Sequence, residues 1–165
     1  MSAKTMKIQV DSEIGKLEGV ILHKPGPEIE NMTPANAERA LYSDILNLSV
    51  AGREYSQLAG VLQKLCKTYF VSDLLKDILK DNQIRENLIS KICENEFVCD
   101  VRKDLLKLSS QEVTRQLIEG VIMKKDSLTS FLSKQRYSLR PLHNFFFTRD
   151  ASISIDDKVL IAKMA

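Results

Sequence analysis

Pro141-Leu142-His143-Asn144-Phe145-Phe146-Phe147-Thr148-Arg149-Asp150 sets three of the chain's six phenylalanines directly against an Arg-Asp pair. An apolar run that ends in a carboxylate can form a greasy wall with one fixed acceptor at its mouth, a way to hold a cation by one end. The same pattern also suits a buried strand whose polar end reaches solvent, spanning Asn144 to Thr148. Beyond it, Ser152 to Ile155 and Lys158 to Met164 read as two more strands. Asp156-Asp157 between them suits the tight turn of a hairpin.

Upstream of Pro141 the pattern changes to helix. Between Pro34 and Pro141 there is no proline, and between Gly60 and Gly120 no glycine, so little interrupts helix formation. Tyr55, Leu58, Ala59, Leu62, Leu65, Cys66 and Tyr69 recur at steps of three and four, the apolar stripe of a helix over Ala51 to Lys67. Asp73 is a candidate cap for a helix carrying Leu74, Leu75, Ile78 and Leu79. A second stripe follows in Ile84, Leu88, Ile89, Ile92 and Cys93. Ser109 with Glu112 forms a capping box ahead of Val113, Leu117, Ile118 and Val121. Ser127 starts a last helix through Phe131 and Leu132. Before this helical middle, Lys7 to Val10 and Gly19 to His23 read as strands, and Pro25-Gly26-Pro27 ends the second. Thr33-Pro34 offers an N-cap with proline at the first helical position. Thr68 to Val71 reads as a strand that would complete a small β-β-α-β unit.

With 165 residues the chain can bury a real core as one domain, or as one domain carrying an insertion. Its 44% hydrophobic and 28% charged content is that of a globular protein. A net charge of +2 and the lack of any Lys/Arg run argue against a nucleic-acid partner. No apolar stretch approaches membrane-spanning length, and the first ten residues lack the apolar core of a signal peptide, so a cytoplasmic protein is expected. Cys66, Cys93 and Cys99 match no zinc or redox spacing and read as reduced structural thiols, with no metal or cofactor site among them.

A second long pattern lies near the N-terminus: Ser12-Glu13-Ile14-Gly15-Lys16-Leu17-Glu18-Gly19-Val20-Ile21-Leu22-His23-Lys24-Pro25-Gly26-Pro27-Glu28-Ile29-Glu30-Asn31-Met32-Thr33-Pro34-Ala35-Asn36. It resembles the opening strand and loop of the arginine deiminases. The Phe145 to Asp150 stretch resembles their guanidinium-binding strand, and Arg53-Glu54-Tyr55 falls where the family has Arg-Glu-His. The resemblance covers both ends of the chain around a divergent middle, and family members run to well over twice this length. It implies an α/β fold, a partial pentein (α/β propeller) with a helical-bundle insertion. Residues 1–72 would form a first ββαβ module, 73–138 the insertion, and 139–165 the start of a second module.

The resemblance also implies roles. A guanidinium presents parallel N–H donors in a fixed fork, which a carboxylate accepts two at a time. Asp150 matches the family aspartate that grips the substrate guanidinium, and its place after the phenylalanines suggests partial desolvation. The rival reading is a surface aspartate or one paired with Arg149. Asn144 and Phe147 match positions that contact the amino-acid end of the substrate and wall the pocket; a turn or strand-end asparagine is the alternative. Arg149 is expected in a structural ion pair, with contact to the substrate carboxylate as the alternative, and His23 in a structural role. His143 and Ala151 stand where the family usually has proline, which puts the rigidity of the loop in question.

In the family a cysteine thiolate attacks the guanidinium carbon and ammonia leaves; water then releases citrulline, with no metal or organic cofactor. The family nucleophile and its histidine fall later than Ala165. The expected function is therefore that of an arginine deiminase, converting L-arginine to L-citrulline and ammonia, with this chain an N-terminal portion inactive by itself. The alternatives are a short noncatalytic pentein-like protein that binds arginine or a partner, and a related amidinotransferase. Unpaired sheet edges would favour a homo-oligomer or docking with the rest of its own chain.

Overall fold

The computed structural model describes residues 7–32, 42 and 45–161. Strand β1 (Gly19–Leu22) and β2 (Lys67–Phe70) pair in parallel, Gly19 opposite Lys67 and Leu22 opposite Phe70. Parallel strands need a crossover, and helix α2 (Leu48–Leu65) makes it, after the single-turn helix α1 (Pro27–Glu30). The Asn47 side chain starts α2 by accepting the amides of Ser49 and Val50 at 3.0 and 3.2 Å. Of the stripe expected on this helix, Ala59 is buried, whereas Leu58 and Leu65 remain 51% and 66% exposed.

Lys7 to Val10 does not form the expected strand beside β1. Val10 instead makes one antiparallel bridge to Asp156, through N–H···O bonds of 2.8 and 2.7 Å in the two directions. The helix expected from Thr33-Pro34 lies outside the described residues.

The helical middle holds the core. Helix α3 (Val71–Ile78) follows β2 directly, with Phe70 as its first flanking residue, so Asp73 lies inside the first turn and not at the cap. There its carboxylate still faces the positive end of the helix. Helices α4 (Asn82–Asn95), α5 (Arg102–Lys107) and α6 (Ser110–Glu119) complete the group. Leu79, Ile89, Cys93, Val101, Leu105, Val113, Leu117 and Leu139 bury one another at their centre. Arg85 staples the group: its guanidinium donates to the carbonyls of Leu79 and Leu108, both at 3.0 Å. The capping box forms at Ser109 and Glu112, and Ser127 with Ser130 makes another at α7 (Leu128–Leu132).

Two short strands within this middle, β3 (Val121–Ile122) and β4 (Tyr137–Leu139), pair antiparallel; neither is foreseen from the sequence, being too brief for a period-2 signal. The terminal hairpin forms as expected from β5 (Ser152–Ile155) and β6 (Lys158–Ile161), with Asp156 at φ 51° in the turn. Aspartate tolerates that left-handed conformation better than most side chains.

Candidate functional site

The segment after Pro141 is a series of turns, not the expected strand over Asn144 to Thr148. The amide of Phe145 donates to the Leu142 carbonyl at 3.1 Å, that of Phe147 to Asn144 at 3.0 Å, and that of Asp150 to Phe147 at 3.3 Å. Each bond closes a four-residue turn: Asn144 opens the second, Phe147 closes it and opens the third, and Asp150 closes the third. Local hydrogen bonding thus joins the backbones of Asn144, Phe147 and Asp150 one to the next, bonds that a strand would not make.

Their environments differ. Asn144 is half-buried, Phe147 is 46% exposed, and Asp150 is exposed, so the described residues do not desolvate this carboxylate. Arg149 reaches Glu13 at 3.3 Å in a solvent-exposed pair. Its ion pair is therefore with the N-terminal segment, and Asp150 is left to face outward. Phe146 and Phe147 stack obliquely at 4.2 Å between ring centres. With Pro25, Tyr42, Glu54 and Tyr55 they line a cleft of about 400 Å³. Asn144 and Asp150 are not among its lining residues.

Beneath the turns lies a buried polar cluster. His23 and Glu28 are 5% and 1% exposed, and His23 Nε2 stands 3.1 Å from Glu28 Oε1. The same oxygen accepts the amide of Gly26 at 2.7 Å. Position 26 must be glycine for this approach, because a Cβ there would lie 2.6 Å from the other Glu28 oxygen. His23 also sets its ring against Phe145, 4.8 Å away and edge-on. Its amide donates to the Tyr55 hydroxyl at 3.1 Å. Burial pushes the Tyr55 phenol up, an effect the His23 amide partly offsets. Tyr42, whose hydroxyl donates to the His143 carbonyl at 3.4 Å, is pushed up to about 12 by desolvation.

The sequence reading missed Glu28 and the phenols of Tyr42 and Tyr55. A glutamate after Pro-Gly-Pro reads as a solvated loop residue, and no local spacing announces that His23 will bury it. The thiols stand apart from this cluster. Cys66 Sγ donates to the Leu62 carbonyl at 3.4 Å. Cys93 and Cys99 line a different cleft, of about 440 Å³. Burial pushes the Cys93 thiol up, neighbouring Cys99 adds to this, and Arg102 opposes it.

Among known proteins, the family model for arginine deiminase matches residues 38–165. The chain is 37% identical to an arginine deiminase of Pediococcus pentosaceus over 95% of its own length and 42% of that protein's. It is 35% identical to the arginine deiminase of Borrelia recurrentis, over 96% of this chain and 42% of the relative. For that of Limosilactobacillus fermentum the figures are 34%, 97% and 43%. The chain thus spans about two-fifths of the length of the curated relatives it matches. Most of its length, the turn series included, falls within the matched region, and the chain belongs to the arginine deiminase family.

Proposed function

We propose that the chain supplies the guanidinium-binding wall of an arginine deiminase. Asp150 accepts the guanidinium fork, Asn144 meets the amino-acid end, and Phe147 covers the alkyl stem. The observation that carries this reading is the run of turns that sets Asn144, Phe147 and Asp150 at successive ends within the region matched to the family. In the complete reaction a cysteine thiolate attacks the guanidinium carbon and ammonia departs, after which water releases L-citrulline. The three thiols here are poor candidates for that step. Burial disfavours the Cys93 thiolate, Cys66 is occupied by a helix carbonyl, and Cys99 lines the other cleft. The chain by itself therefore binds arginine without turning it over.

The wider architecture in this proposal is a pentein. Residues 1–72 belong to its first module, 73–138 to a helical insertion, and 139–165 to the start of the second module. All three cysteines are free, as a reducing cytoplasm would leave them.

Titration with L-arginine, followed by NMR at the Asn144 and Asp150 amides, tests the reading. Asp150→Ala should weaken binding about tenfold or more, the loss of hydrogen bonds to a charged group. Unchanged affinity in that variant removes Asp150 from the site. Citrulline formed above the enzyme-free blank would instead show that one of the three thiols is the nucleophile.

A further inference from the structure

His143 and Glu28 lie far apart in sequence, separated by 115 positions, yet His143 Nδ1 is 2.6 Å from the Glu28 carbonyl oxygen. Both residues are buried, at 5% and 1% exposure. A carbonyl only accepts, so Nδ1 carries the proton and donates it. The carboxylate of Glu28 is itself fixed, by the Gly26 amide and by His23. Two links therefore run from Glu28 into the turn series: one directly to His143, the other through the His23 ring to Phe145. At the far end of the series Thr148 Oγ1 donates to the Ile21 carbonyl at 3.0 Å.

We propose that His143 is a positioning residue for the arginine-binding turns. Together with the Leu142 amide, which donates to the Ile118 carbonyl at 2.9 Å, its bond to Glu28 fixes where the series starts, and the four-residue turns that follow carry this placement to Asn144, Phe147 and Asp150. A surface segment with little apolar burial opens locally unless it is tied at its ends. Here the Leu142 amide and the His143 ring tie one end, with the Tyr42 hydroxyl on the His143 carbonyl, and Thr148 ties the other. The role assigned to His143 is the Nδ1 bond, and the ring that carries it is shielded from solvent at 5% exposure. The inference rests on the reading of Asn144 and Asp150 as arginine contacts, but the anchor can be tested without arginine.

In the unmodified 165-residue chain, ¹⁵N NMR of the imidazole should find the His143 proton on Nδ1, in slow exchange with water. A proton on Nε2 alone overturns the proposal. In His143→Phe, which keeps a flat ring and loses the donor, exchange of the Phe145, Phe147 and Asp150 amides should quicken about tenfold, the loss of one anchoring hydrogen bond. The core amides of Ile89 and Leu117 should keep their protection. His143→Asn, whose side-chain amide offers a donor near the Nδ1 position, should restore both slow exchange and arginine affinity. Turn amides that exchange no faster in His143→Phe, or that stay fast in His143→Asn, sink the idea. If His143→Phe loses core protection as well, the wild-type imidazole spectrum and His143→Asn decide. Should the wild-type chain bind no arginine while the exchange results hold, the arginine reading fails and the anchor stands.

Discussion

Phe97 is a residue in a position made for glycine. Helix α4 ends in a Schellman motif, with the Phe97 amide bonded to the Glu94 carbonyl and the Val98 amide to that of Cys93. The residue that closes such a motif turns left-handed, and Phe97 does so at φ 56° while its ring is 92% exposed. The side chain therefore bears the steric cost of the conformation and gains almost no burial in return. Phe97→Gly should stabilise the chain by about 0.5–1 kcal/mol, after the greater freedom of glycine in the unfolded state is set against the strain relieved. A raised urea midpoint at unchanged slope checks this; a lowered midpoint would mean that the ring contributes more than its exposure suggests. Buried residues show the opposite economy. His23, expected to be structural, is held by Glu28 and Phe145, contacts that no inspection of its own neighbours in sequence could supply.

Elements were legible where their cause is local. The capping box at Ser109 and Glu112 needs four consecutive residues, and the hairpin turn at Asp156-Asp157 needs two, so both can be read from the sequence. The turns after Pro141 could not be read that way. Three phenylalanines in a row carry a strong strand preference, but the backbone instead follows the ties of His143 to Glu28 and Thr148 to Ile21, across 115 and 127 positions. The residues of the proposed site were thus named by resemblance, while the shape of the segment that carries them was not legible. Gly120 shows how tightly the preceding joint is made. It ends α6 and leads into β3 at φ 87° and ψ 163°, a conformation essentially reserved for glycine. An added Cβ would meet the Leu139 carbonyl oxygen at 2.8 Å and the Pro141 nitrogen at 2.9 Å, both backbone atoms of the segment leading to the site. Gly120→Ala should therefore destabilise by about 2–3 kcal/mol, from backbone strain together with displacement of β4. Thermal unfolding measures the loss, and an unchanged midpoint would show that the joint can yield.

Across the molecule, the described residues leave apolar side chains exposed on two elements, the terminal hairpin and helix α2. On the terminal hairpin Ile153 faces Leu160 across the strands, and they are 61% and 57% exposed; Ile155 and Ile161 are at 51% and 83%. A two-stranded hairpin has little stability of its own, and this one is tied to the N-terminal segment by the Val10–Asp156 bridge. Helix α2 adds Leu58, Val61 and Leu65, all more than half exposed. Clusters of this kind on an unpaired edge favour contact with another chain. Relatives more than twice as long carry further chain that could cover such a face, and in the isolated protein a second copy is the available cover. The chain alone should therefore self-associate with rising concentration, read by sedimentation velocity, and should bind an apolar dye. Ile153→Lys combined with Leu160→Glu keeps an attractive cross-strand pair while removing the apolar one. That double variant should sediment as a monomer and keep the arginine affinity proposed for the wild-type chain, because neither position lies in the turn series from His143 to Asp150. A wild-type chain that stays monomeric at every concentration would show that these side chains are covered from within.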